Sequence, residues 1–166
     1  VAFIGAGNYG GRVLMPAFRK AGAGMHTVVS GAGVSAVHHG RKQGFMNAST
    51  DMGAVLADPA VDTVVIATRH DAHAAQVLAA LRAGKHVFCE KPVDLSVARA
   101  EDCARAVREA GTACMIGFQR RFDPTFAALK DRLVAGEIGE PEMLVVTSRD
   151  PGAPPVEYLK RSGGIF

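Results

Sequence analysis

Short apolar runs recur along the chain. Between them, apolar residues return every three or four positions. The runs Val1–Ile4, Met25–Ser30, Val61–Thr68, Lys85–Cys89 and Ala113–Gly117 have apolar, largely β-branched centres and are bounded by glycine or polar residues, which predicts buried strands. The intervening stretches predict helices over 8–21, 34–42, 51–57, 71–83 and 96–110. Thr50 or Asp51 and Ser96 are placed as N-caps, and Gly44, Gly84 and Gly111 as stops. Pro16 falls inside the first helix and should kink it or end a turn early, because proline lacks an N–H and clashes with the preceding turn. Alternating strands and helices, with strands apolar almost throughout, imply an α/β fold: a doubly wound parallel sheet with helices on both faces.

The first strand runs straight into Gly5-Ala-Gly-Asn-Tyr-Gly10 and then a helix. In a dinucleotide site each glycine of that spacing has a use. Gly5 allows the tight turn, Gly7 lets backbone approach a pyrophosphate, and Gly10 lets the helix pack close to the strand. The free N–H groups at the helix start favour phosphate. Gly5, Gly7, Asn8, Tyr9 and Gly10 are thus candidate cofactor-binding residues, and the sheet is expected to be of the Rossmann type.

The rhythm changes near Arg121. Asp123-Pro-Thr-Phe126 opens an amphipathic helix to about Ala135, and Glu142–Ser148 reads as a strand. Asp150-Pro-Gly-Ala-Pro-Pro155 is too rich in proline for a central strand. The expected division is a dinucleotide-binding Rossmann domain over 1–120, followed over 121–166 by the start of a second, incomplete α+β domain. The chain begins on a strand without Met and stops at Ser162-Gly-Gly-Ile-Phe166, so it is read as a fragment of a longer protein.

Composition narrows the function. At 166 residues, 48% hydrophobic and 21% charged, the chain is ordinary for a globular protein. Its net charge of +3 is spread without a basic block, which argues against nucleic acid as a partner. No apolar run reaches the length of a membrane span, and no signal peptide is visible. Cys89, Cys103 and Cys114 form no Cys-x-x-Cys, which suggests reduced thiols and a cytoplasmic location.

The candidate chemistry lies just past strand ends, where open α/β sheets bind ligands. An acid near the end of the second strand would bond the ribose of NAD, but Ser30-Gly-Ala-Gly33 holds none. Ser30 can bond a 2′-phosphate and Arg41 or Lys42 can reach it, so NADP is favoured over NAD; a solvated helix end is the other reading of the two cations. Thr68 and His70 are expected to line the cofactor. No third ligand accompanies His70-x-x-His73, so no metal is expected, and His73 is given the task of orienting the turn into its helix. Glu90-Lys-Pro92 follows the next strand. Lys91 there can bond a substrate hydroxyl and steady an alkoxide, unless it is simply a surface lysine. Arg120 and Arg121 face either the cofactor or acids at the domain hinge.

Together Gly5–Gly10, Thr68…His73, Glu90-Lys-Pro92 and Gly117-Phe-Gln-Arg-Arg-Phe-Asp-Pro124 resemble the Gfo/Idh/MocA oxidoreductases, over the whole chain. The C-terminal third, with Ser148-Arg-Asp-Pro151 and Tyr158–Phe166, resembles the inositol 2-dehydrogenase branch. The first half is more similar to fused two-domain members. The resemblance implies an NAD(P)-dependent dehydrogenase acting on a secondary alcohol of a sugar, polyol or inositol, with Lys91 catalytic and Glu90 and Arg120 beside the cofactor. It also implies a homo-oligomer and, past Phe166, an Asp and a His that serves as base. The 166 residues alone are then expected to bind cofactor weakly and to turn over nothing. The alternative is a non-catalytic dinucleotide-binding module or redox sensor.

Overall fold

Alternate residues of the central strand face opposite layers. In β1 (Ala2–Ile4), Ala2 and Ile4 join one apolar cluster and Phe3 joins the other. The same division holds in β4 (Thr63–Ile66), with Val64 and Ile66 on one side and Val65 on the other. This is the strand period of two with both faces buried. The computed structural model describes residues 1–149, 152 and 154–162. With β2 (Thr27–Val29), β3 (Asn47–Ser49), β5 (His86–Cys89) and β6 (Cys114–Ile116), these strands make one sheet in the order β3-β2-β1-β4-β5-β6. Every pairing is parallel. The order reverses between β1 and β4, which opens a crevice at their C-terminal ends.

Helices cover both faces. One layer packs Leu14 with α1 (Met15–Lys20) and α2 (Val34–Gln43) against Phe3 and Val28. There Phe3 meets Phe18 and Phe45 edge-on, at 5.4 and 5.6 Å between centroids. The other layer packs α3 (Met52–Ala57), α4 (His73–Arg82) and α5 (Val97–Ala110) through Val55, Val77, Ala80, Leu81 and Cys103. Burying each large apolar side chain contributes about 1.5–3 kcal/mol. Lys85 is buried as well, and its ammonium donates to the carbonyls of Asp58 (2.8 Å) and Val61 (2.7 Å), tying the α3–β4 connection to the foot of β5.

The stops and caps follow local chemistry. Asp51 caps α3 by accepting from Ala54 N at 3.1 Å. Gly44 and Gly111 end α2 and α5 at positive φ. Ser96 stands at the head of α5, with no side-chain cap bond. Helix continues past Pro16 to Lys20. A π turn over Gly10–Leu14 precedes it, in which Met15 N donates to Gly10 O, and Pro16 then sits in the first turn of α1, where its missing N–H costs least.

Three expectations need correction. β3, on the sheet edge, has no apolar signature. A 3-10 turn over His70–Ala72 delays α4 to His73. Residues 142–148 form no strand, because no described segment pairs with them, and Leu144, Val145 and Val146 are exposed. α6 (Pro124–Val134) is present and is capped by Asp123, and a further helix, α7 (Val156–Ser162), follows the prolines. Asp150, Pro151, Ala153 and Gly163–Phe166 lie outside the described residues. Among the described residues no helix is long and apolar enough to cross a membrane.

Candidate functional site

A row of backbone bonds levels the ends of the strands. Ser30 N donates to Ser49 O (3.1 Å), Gly5 N to Val29 O (2.9 Å), Ala67 N to Ile4 O (2.8 Å), Glu90 N to Ile66 O (2.9 Å) and Gly117 N to Cys89 O (2.8 Å). Each donor is the first residue past its strand. The four motifs therefore leave the sheet at one rim.

Gly5 crosses the reversal point at φ 103°. A Cβ there would run into the Ala67 carbonyl and come within 2.9 Å of Thr68 N. Gly10 sits behind it, its Cβ position 3.3 Å from Gly5 O and 3.4 Å from the Ala67 Cβ. Gly7 differs, with no atom within 4 Å of its Cβ position. The first helical bond runs from Gly11 N to Gly7 O (2.8 Å), so the amides of Asn8, Tyr9 and Gly10 precede any helical acceptor. An open face at Gly7 beside unspent amides suits a pyrophosphate, and this is where the residues fit a dinucleotide.

The adjoining cleft of about 340 Å³ is lined by Tyr9, Ala67, Thr68, His70, His73, Glu90, Lys91, Gln119 and Tyr158. Thr68 Oγ1 donates to Gln76 Oε1 at 2.6 Å. His73 is fully buried, with Nδ1 2.7 Å from Pro92 O and Nε2 3.2 Å from Thr68 O. The Lys91–Pro92 peptide is cis. Burial holds the Glu90 carboxyl above the usual carboxylate range, and the Lys91 amide and ammonium and His73 oppose it. Glu90 lies over Gly117, where a Cβ would stand 2.7 Å from Oε1. Burial also pushes the Tyr9 phenol up, with Glu90 adding to it. His70 is held below the ordinary imidazole value, chiefly by burial, with a backbone contact from Ser162 opposing. Its ring meets Tyr158 edge-on at 5.4 Å.

Tyr9, Thr68, His70, Glu90 and Lys91 thus come together, next to Gly5, Gly7, Asn8 and Gly10. Three expected residues are placed otherwise. Ser30 stands on the rim, but its Oγ accepts from Ala36 N at 3.1 Å and so caps α2. Arg41 is exposed and lies seven residues beyond Val34, about 10 Å along α2, toward the N-terminal ends of the strands. Arg120 lies outside the main cleft, its guanidinium 5.6 Å from the Phe126 ring centroid; it lines a neighbouring hollow of about 460 Å³ with Lys91, Phe118, Gln119 and Arg121. Gln119 and Tyr158 were missed. Gln119 is next to the arginines in sequence and one residue closer to the rim; nothing in the local pattern marks Tyr158. Among the described residues no group of three or more His, Cys, Asp or Glu is placed to hold a metal.

A family model described as an oxidoreductase family with an NAD-binding Rossmann fold, Gfo/Idh/MocA, matches residues 1–118. The chain is similar to inositol 2-dehydrogenase of Rhizobium meliloti (strain 1021), with 50% identity over 68% of this chain and 34% of that protein. It is also similar to scyllo-inositol 2-dehydrogenase (NAD(+)) of Bacillus subtilis (strain 168), with 44% identity over 76% of this chain and 37% of that one. The chain therefore spans little more than a third of the length of these curated relatives. Among solved structures, a candidate myo-inositol dehydrogenase from Sinorhizobium meliloti 1021 superposes with TM-score 0.90 at 41% identity, over 99% of this chain and 49% of that one. A levoglucosan dehydrogenase in complex with NADH and levoglucosan gives TM-score 0.75 at 28% identity, over 83% and 40%. By its rim of strand-end motifs and by these matches, the chain belongs to the Gfo/Idh/MocA oxidoreductase family, with the NAD-binding Rossmann fold in residues 1–118.

Proposed function

We propose that the chain is the cofactor-binding part of an NAD(P)-dependent dehydrogenase acting on a secondary alcohol of a sugar, polyol or inositol. The observation that carries this reading is the position of Lys91, exposed in the cleft one residue past Glu90, on the rim that Gly5 shares. The amides of Asn8, Tyr9 and Gly10 would hold the phosphates, with Thr68, His70 and Glu90 beside them. When bound, the nicotinamide cofactor takes up or returns the substrate hydride. Lys91 donates from Nζ to the substrate oxygen and steadies the charge that develops there. Burial raises the Glu90 carboxyl and lowers the His70 imidazole, and each shift disfavours the charged form of its group. The proton leaves to a base outside these residues, which the resemblance places on a His past Phe166.

The names of the inositol dehydrogenases support a cyclic polyol. The acid-free Ser30–Gly33 loop supports acceptance of NADP, since no carboxylate repels a 2′-phosphate. The free thiols Cys89, Cys103 and Cys114 support a reducing, cytoplasmic setting. We place the domain boundary at 120/121, just past the sheet, and expect the full-length protein to be a homo-oligomer. The decisive experiment is Lys91→Ala in the full-length protein, assayed with inositols and both cofactors. The expected result is a fall in kcat of about 10²–10³ with cofactor binding retained. Unchanged turnover would remove Lys91 from the chemistry. No turnover of any polyol by the parent protein would favour a dinucleotide-binding sensor.

A further inference from the structure

We propose that His73 is the positioning residue for Lys91: its buried ring, at the head of α4, holds the carbonyl of the residue that follows the lysine. This rests on the function proposed above and adds to it how the lysine is held.

His73 is the first residue of α4 and is 0% exposed. Enclosing a polar ring completely is costly unless its nitrogens are bonded, and an apolar ring would serve packing alone. Both nitrogens of His73 face carbonyl oxygens, Pro92 O at 2.7 Å and Thr68 O at 3.2 Å. Carbonyls only accept, so the proton of a neutral ring belongs on Nδ1, at the shorter bond. That bond fixes the residue directly after Lys91. One turn along α4, Gln76 accepts from Thr68 Oγ1 at 2.6 Å. α4 thereby holds the Thr68 loop through Gln76 and the lysine's turn through His73.

The lysine itself is held by little else. It is exposed, and no ion pair involving it occurs among the described residues. Its ammonium sits at the end of a flexible stem, so its mean position follows from where the stem is rooted. The root is the Glu90–Pro92 turn, fixed on one side by Glu90 N to Ile66 O and on the other by His73. Misplacing a reacting group by about 1 Å costs on the order of 100-fold in rate.

The test compares His73→Phe and His73→Asn in the full-length protein. Phenylalanine fills the site without a donor, whereas asparagine carries its amide nitrogen near the place of Nδ1. For His73→Phe we expect kcat to fall roughly 10–100-fold, with polyol KM and the Kd of NADH within about twofold of the parent. For His73→Asn, kcat should recover most of that loss even though the variant leaves a larger cavity and melts lower. Equal kcat losses in the two variants, or a loss that follows folded fraction, would overturn the proposal, as would an unchanged kcat in His73→Phe. A second readout separates this idea from the functional reading. The acylation rate of Lys91 by an amine-reactive ester, followed by peptide mass spectrometry, should change in His73→Phe and return in His73→Asn even if the parent protein turns over no polyol. Equal acylation rates in all three proteins would sink the proposal by themselves.

Discussion

His39, within α2, and His70, in the turn after β4, behave alike. Burial is the first cause of a lowered imidazole at each. At His39 the charges of His38, Lys42 and Arg12 add to it, and at His70 those of His73 and Lys91. The folded chain therefore binds these protons more weakly than the unfolded chain does. What they contribute to stability is present above the unfolded value of about pH 6.5 and is lost as the pH falls through the lowered folded values. Glu90 has the opposite sign in a more acid window. Its folded value is raised, so its contribution is present below about pH 4.3 and fades as the pH rises through the raised value. Urea midpoints measured from neutral pH down to mildly acid pH should fall, and His70→Asn should flatten the slope. An unaltered slope in that variant would remove His70 from the account. The histidine pair at 70 and 73 also shows where sequence stops. Its place past a strand is legible, but the tilt of one ring toward Tyr158 and the burial of the other depend on α7 and on Pro92, which are remote in the chain.

At the scale of elements, Gly5 is the glycine packed tightest against backbone. Alanine there would need an unfavourable φ and would meet the Ala67 carbonyl, so Gly5→Ala should cost about 2–5 kcal/mol. Urea unfolding of the protein checks this, and a cost under about 1 kcal/mol would mean that the β1–β4 reversal yields to an added methyl. Elements with a strong period were legible: five strands from their apolar centres, and the helix ends from Asp51, Gly44 and Gly111. β3 was not, because Asn47-Ala-Ser49 is recruited by the open edge of β2 rather than by its own pattern. The 142–148 segment fails for the complementary reason: its pattern suits a strand, but no described neighbour pairs with it. Pro16 falls where the π turn passes into α1, a change of helix type that the apolar period does not encode.

For the whole molecule, cofactor choice is the property most open to test. The Ser30–Gly33 loop holds no acid, while Arg41 lies about 10 Å beyond Val34 along α2. NADPH should bind at least as tightly as NADH in paired fluorescence titrations. Ser30→Asp should weaken NADPH by about tenfold or more while sparing NADH, because aspartate can keep the cap on α2 and yet repel the phosphate. Equal weakening of both would show that Ser30 only holds the helix. The rim as a whole was legible from four short motifs because a parallel sheet places every strand end on one side. Its membership was legible only up to the last strand, which is why Gln119 was passed over for Arg120.

The close approach of Gly5, Gly10 and Ala67 also bears on how ligands come and go. Three small residues in mutual contact leave that turn a single shape, already set before anything arrives. A dinucleotide entering there has no loop to fold around its phosphates, so little ordering entropy is lost on capture. Arrival is then governed by encounter, and ligands that share a pyrophosphate should differ mainly in how long they stay.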